Sequence, residues 1–269
     1  MKNNHLLIKR NALKCGMALL VLLLSAGFWM GCAQKEKPVL SDEEKAVQEM
    51  AKQLDKKSQK SDYQNPEGFV LLTDVIPDAI LEIRYYGTYN FAGCRIDGYQ
   101  QPIALLTVEA AQALKAVSDD VKSMGYRLKI YDAYRPQCAV DHFVRWSKDP
   151  KDTTMKRYFY PMHEKPSLFQ KGYIASKSGH TRGSTVDLTL FDMQTEKEVD
   201  MGGTFDWFGE ESHPSHTESL TKQQIANRNL LRDAMMRHGF KPLPTEWWHF
   251  TLKDEPYPDT YFTHPVRWE

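Results

Sequence analysis

Ser178-Gly179-His180-Thr181-Arg182-Gly183-Ser184-Thr185-Val186-Asp187-Leu188-Thr189-Leu190-Phe191-Asp192 holds both a strand and an unusual pairing of side chains. Its last nine residues, STVDLTLFD, are rich in β-branched and apolar types and predict a strand. His180 and Asp187 stand seven residues apart. On one uninterrupted strand that odd spacing would point the two side chains to opposite faces. A turn at Gly183, where backbone freedom costs little, could bring both to one point. Taken alone the segment has a plainer reading, since a His beside a strand is more often a hydrogen-bonded structural residue than a ligand.

A second segment, Glu246-Trp247-Trp248-His249, follows a loop marked by Pro242 and Pro244. Catalytic zinc commonly takes three protein ligands, often His and carboxylate, and keeps a fourth position for water. His180, Asp187 and His249 supply such a set. A further carboxylate beside the open position can take the proton from the bound water, whose pKa the metal lowers toward about 7. Glu246 suits that task, the alternative being a surface acid beside a buried aromatic pair.

Outward from these segments, FVLLTDV and AILEIRYY read as short strands separated by a turn near Pro77-Asp78. Thr107 caps an amphipathic helix that Gly125 stops. RLKIYDAY alternates as a half-buried strand does, and Pro136 opens a helix through about Trp146. Thr221 to His238 is a strong amphipathic helix stopped by Gly239, and WWHFTL is a final strand. This mixture predicts a single α+β domain over residues 65–269, with a mainly antiparallel sheet backed by helices and the metal site at the sheet.

The first residues belong to no fold. Lys2, Lys9, Arg10 and Lys14 precede an uncharged stretch from Cys15 to Gly31, the pattern of an export signal, and it is short for a spanning helix of roughly 20 residues. Gly31-Cys32 closes it, and a small residue directly before a cysteine resembles the lipobox of bacterial lipoproteins. Residues 1–31 are therefore expected to be a lipoprotein-type signal, Cys32 a lipidation site, and 32–64 a charged tether. The alternatives for the first segment are a plain signal peptide or an uncleaved anchor, since Trp29 and Met30 depart from the usual lipobox. The domain is expected outside the cytoplasm, held to a membrane by the lipid.

Of the 35 Lys and Arg, four precede residue 32, where no Asp or Glu occurs, so the remainder carries 31 basic against 35 acidic side chains, formally −4. No basic patch stands out, which excludes a nucleic-acid partner. Cys94 and Cys138 remain in an oxidising compartment, as a possible disulfide or as two buried free thiols.

Ser-x-His-x-x-Gly-x-x-x-Asp at 178–187 with Glu-x-Trp-His at 246–249 resembles the zinc D-alanyl-D-alanine peptidase family. Asn90-Phe91-x-Gly93 with Gly98-Tyr99, Tyr131-Asp132-Ala133-Tyr134-Arg135-Pro136, and Met201-Gly202-Gly203-Thr204-Phe205-Asp206-x-Phe208 resemble its VanX-type dipeptidase branch. Val186 departs from the Ala commoner beside the aspartate.

The resemblance implies one Zn2+ per chain on His180, Asp187 and His249, and metal-assisted peptide hydrolysis with Glu246 as base. It implies that Arg135 stabilises the oxyanion, that Asp206 receives the dipeptide ammonium, and that Asp132 and Ser178 border the substrate. A guanidinium suits the first of these roles because it stays charged and donates paired hydrogen bonds. The implied reaction is hydrolysis of D-Ala-D-Ala in wall turnover. The alternatives are a D,D-carboxypeptidase trimming stem peptides and a non-catalytic, zinc-containing wall-binding lipoprotein. His213 and His216 have metal-like spacing but lie in a polar loop outside the ligand set. His142 is expected to be structural, and Trp247 and Trp248 to wall the site and core.

Overall fold

A computed structural model describes residues 63–269. The expected signal, Cys32 and residues 33–62 of the expected tether lie outside the described residues. The tether's end is not loose, since the Tyr63 hydroxyl donates to the Arg267 carbonyl at 3.0 Å.

Strand β1 (Phe69–Leu71) runs straight into a single helical turn, α1 (Leu72–Val75), and β2 is only Ile80–Leu81. Both extended runs are shorter than their apolar residues suggest. Leu72 and Ile76 are buried from a turn instead of a strand, and an apolar run without strict alternation fits either geometry. β3 (Leu105–Thr107) pairs antiparallel with β1 and leads into α2 (Val108–Ser123). The Thr107 side chain accepts the Ala110 N–H, and beyond the helix Gly125 turns the chain at φ 92°. Ala110, Ala111, Leu114, Val117 and Val121 are all buried, at the three- and four-residue spacing of one helix face.

The chain continues through β4 (Tyr126–Asp132), α3 (Gln137–Ser147), α4 (Lys156–Phe159), α5 (Lys165–Gln170), β5 (Thr185–Asp192) and β6 (Lys197–Glu198). It ends with α6 (Lys222–Arg237), β7 (Phe240–Leu243) and β8 (Glu246–Leu252). Thr221 and Gln224 close a reciprocal capping box at the start of α6. The main sheet has the order β2-β4-β5-β8-β7, with β6 on the far end of β5. Its pairings are antiparallel except β2 with β4, as expected of the fold class. α2 packs against β4 and α6, and α6 packs against β7. β5 lies in the middle of the sheet and is buried from Thr185 to Leu190, which covers the strand on both faces.

The disulfide considered for Cys94 and Cys138 is not formed: both thiols are free and exposed. They meet different neighbours. Cys94 Sγ lies 3.8 Å from His142 Nε2 in the loop before α3, whereas Cys138 in the first turn of α3 abuts Gly98.

Candidate active site

Gly183 decides how His180 and Asp187 meet. Ser178 caps a short 3₁₀ turn over Gly179–Arg182 that carries His180, and Gly183 then takes φ 79° before β5 begins. A Cβ there would sit 2.4 Å from the Phe69 ring, so a side chain is barred by space as well as by backbone conformation. Asp187 follows on β5, directly across from His249 on β8 and from Asp132 on β4. Directly opposite residues of neighbouring strands share a face. The sheet register thus lines up Asp132, Asp187 and His249, and the turn lays His180 over them.

The resulting cluster is tight. His180 Nε2 lies 3.1 Å from Asp187 Oδ2, His249 Nδ1 lies 3.0 Å from Asp187 Oδ1, and the two ring nitrogens are 3.2 Å apart. His180 Nδ1 donates to the Ala133 carbonyl at 2.7 Å, which leaves Nε2 as a lone pair aimed at the cluster. Crowding of this kind is relieved by a proton on the His249 ring or by a cation among the three residues. Burial would raise the Asp187 carboxyl, but His180 and His249 outweigh it and hold the acid below its usual range. Burial would lower His249, but Asp187 outweighs it and raises the imidazole. The donor set of two imidazoles and one carboxylate, with ligand atoms all within 4.8 Å of one another, fits a divalent metal ion.

Glu246, three residues before His249, faces the same side, with its Oε2 3.5 Å from His249 Nδ1. Regular pleating would send residues i and i+3 to opposite faces. The pairing of β7 with β8 shifts register between Pro242 and Leu243, opposite Glu246, and that irregularity turns the carboxylate inward. Burial raises its pKa, with the charge of His249 opposing.

Arg135 is gripped by Asp132, its Nε donating to Oδ2 at 2.9 Å, and its Nη2 lies 3.5 Å from Asp187. The Asp132 carboxylate is held in turn by the Tyr99 hydroxyl at 2.6 Å. Asp206 sits in the left-handed region at φ 61° and accepts the Tyr85 hydroxyl at 2.9 Å. Burial, and then the charge of Asp187, push its pKa well above the usual carboxylate range. Ser178 serves the backbone, accepting the His180 N–H at 3.3 Å, and also lines the cavity. One cavity of about 280 Å³ is bordered by Arg135, Asp206, Glu246, Ser178 and the three clustered residues, with Phe91, Phe143 and Phe208 as apolar walls. The sequence reading missed Tyr85 and the support Tyr99 gives Asp132. A tyrosine in an apolar run carries no local mark of where its hydroxyl goes.

The remaining histidines lie elsewhere. His216 Nε2 pairs with Ser219 Oγ at 2.8 Å in its loop, and His142, on α3, takes the Asp97 N–H at 3.2 Å. Trp247 and Trp248 are buried, and Trp248 packs edge-on against Phe205.

Two imidazoles and a carboxylate able to hold a metal ion, with a further carboxylate and a guanidinium around the same cavity, fit a metallopeptidase. The chain belongs to the D-Ala-D-Ala dipeptidase family, Peptidase_M15, whose model matches residues 65–267. It is 41% identical over 200 residues to the D-alanyl-D-alanine dipeptidase of Enterococcus faecalis, covering 74% of this chain and 98% of that one. It is 38% identical over 198 residues to that of Streptomyces coelicolor, again covering 74% of this chain and 98% of the relative. Likeness to solved structures is slighter: the LdcB LD-carboxypeptidase aligns at TM-score 0.36 and 18% identity over 72% of each chain.

Proposed function

We propose that this protein is a zinc-dependent dipeptidase that hydrolyses D-Ala-D-Ala to D-alanine. The observation that supports this reading best is the placing of a buried carboxylate, Asp206, in the same small cavity as the His180-Asp187-His249 cluster. The cavity lies at the low end of ligand-pocket sizes. A substrate only two residues long offers its free ammonium as a handle, and a carboxyl group beside the cleavage centre recognises it, the incoming positive charge favouring its ionised form.

One zinc ion would be held by His180, Asp187 and His249, where it supplies Lewis acidity and lowers the pKa of water. Glu246 takes the proton of the attacking water and returns it to the leaving amine. Arg135, fixed by Asp132, directs its charge at the oxygen of the scissile carbonyl as negative charge develops there. Phe91, Phe143 and Phe208 exclude water and leave room for small side chains. Ser178 keeps His180 in register and borders the substrate.

Residues 33–269 loaded with zinc are expected to release D-alanine from D-Ala-D-Ala far faster than from a pentapeptide ending in the same pair. The opposite preference would make the protein a D,D-carboxypeptidase, and no release from either would leave a binding protein.

The N-terminal sequence supports export and lipid anchoring at Cys32, and recovery of D-alanine from wall turnover outside the cytoplasm. Cys32→Ala is expected to move the protein from the membrane fraction to the soluble one; an active pool in the cytoplasm would overturn export.

A further inference from the structure

We infer that Arg228, on α6, is a positioning residue that holds Asp206 in place for the substrate ammonium. The inference rests on the ammonium role proposed for Asp206. Between β6 and α6 the chain runs from residue 199 to 221 with only one short 3₁₀ turn, Glu210–Ser212. Asp206 stands within this irregular stretch, in a left-handed conformation that is uncommon outside glycine and is kept where the surroundings hold it.

One face of α6 supplies the enforcement. Gln224 Nε2 donates to Asp200 Oδ2 at 2.8 Å, and Asn227 Nδ2 donates to the Asp200 carbonyl at 2.8 Å. Arg228 Nε donates to the Met201 carbonyl at 2.6 Å. Positions 224, 227 and 228 lie on one helical stripe. The guanidinium then reaches the other end of the segment, with Nη1 donating to the Glu211 carbonyl at 3.0 Å and to the His213 carbonyl at 3.4 Å. A single side chain thus ties residue 201 to residues 211 and 213, closing the base of the loop that carries Asp206.

Arg228 is only 6% exposed and lies over the Trp247 ring at 5.6 Å. Its hydrogen bonds go to carbonyls, and among the described residues no carboxylate pairs with it. Burying a cation on neutral acceptors is costly, so what the arrangement secures is geometry rather than charge pairing. A planar fork serves the two chain segments from separate nitrogens, where a lysine has a single nitrogen to offer both. Within the loop the Trp207 carbonyl accepts the Ser212 hydroxyl at 2.6 Å, and Tyr85 then fixes the Asp206 carboxylate itself. The staple acts on the backbone, the tyrosine on the side chain.

The test compares Arg228→Lys with Asp206→Asn in zinc-loaded residues 33–269, using D-Ala-D-Ala and two phosphinate analogues, one with the amine and one without it. Arg228→Lys should raise KM for the dipeptide by roughly tenfold with kcat little changed. It should weaken the amine-bearing analogue while sparing the other, and add little when combined with Asp206→Asn. Equal loss for both analogues, or an unchanged KM in a folded variant, overturns the positioning role. If Arg228→Lys does not fold, Asn227→Ala loosens the same loop end at Asp200 and should show the same amine-selective loss in smaller measure; its absence overturns the proposal. Should Asp206→Asn itself leave amine selectivity intact, the ammonium reading fails and the staple has no catalytic purpose. If Asp206→Asn abolishes selectivity while Arg228→Lys keeps it, only the staple fails.

Discussion

Glu246, the first residue of β8, brings its carboxylate to within 3.5 Å of His249, and its pKa is raised by burial, with His249 opposing. That separation of tasks gives a sharp expectation. Glu246→Ala leaves His180, Asp187 and His249 intact, so it should keep metal by elemental analysis. It should lose roughly 10²–10⁴-fold in kcat, the usual worth of a positioned general base. His180→Ala should lose the metal as well, since Nε2 is aimed into the cluster by the bond from Nδ1 to Ala133. Equal metal loss in both variants would mean that Glu246 is a ligand and not the base. These residues were legible in the sequence because their chemistry is their type: imidazole and carboxylate at two short segments have few other reasons to recur together. Tyr85, Tyr99 and Arg228 were not legible. Each acts by where its polar end arrives, 121, 33 and 27 residues away along the chain for Asp206, Asp132 and Met201 respectively, and no local pattern encodes such a span.

Among the elements, the helix ends were readable and the strand lengths were not. Thr107 caps α2 where the sequence placed it, and Thr221, read as the first residue of α6, is its cap, because a cap is a local bond between neighbours. Strands are fixed by partners far along the chain, so β1 and β2 stop where β3 and β4 stop pairing with them. The 3₁₀ turn from Gly179 to Arg182 shows both kinds of control. Its reversal was legible in Gly183, whereas the close approach of Phe69 that forbids any side chain there was not. Gly183→Ala should therefore destabilise the domain by about 2 kcal/mol or more, combining left-handed backbone strain with overpacking against that ring. Urea unfolding measures it, and metal affinity should fall with it because His180 rides on the same turn. A variant within about 0.5 kcal/mol of the parent, the range of an ordinary surface change, would show that Phe69 moves aside freely.

The whole domain is closed by its C-terminal segment, which no helix or strand pattern announces. Val266 bridges to Tyr99, the Phe262 N–H donates to the Thr181 carbonyl at 3.0 Å, and the Tyr134 hydroxyl donates to the His264 carbonyl at 2.7 Å. The segment therefore braces the backbone of the turn that carries His180, and it seats the His264 ring among Tyr134 at 4.2 Å, Phe69 at 4.9 Å and Phe262 at 5.7 Å. Burial in this aromatic setting lowers the His264 pKa from 6.5 to about 4. The fold accepts the neutral ring, so stability is full above pH 6.5, where folded and unfolded chains both hold it neutral. As pH falls from 6.5 toward 4 the unfolded chain takes up the proton first, and the domain loses stability through that window. Below about 4 the folded state binds the proton too and this contribution levels off. His264→Gln removes the titration. Melting temperatures of the parent should drop more steeply than those of the variant between pH 6.5 and 4, whatever the offset at neutral pH. Parallel slopes would show that the segment opens before the imidazole is protonated, and that the brace on the His180 turn is looser than its packing indicates.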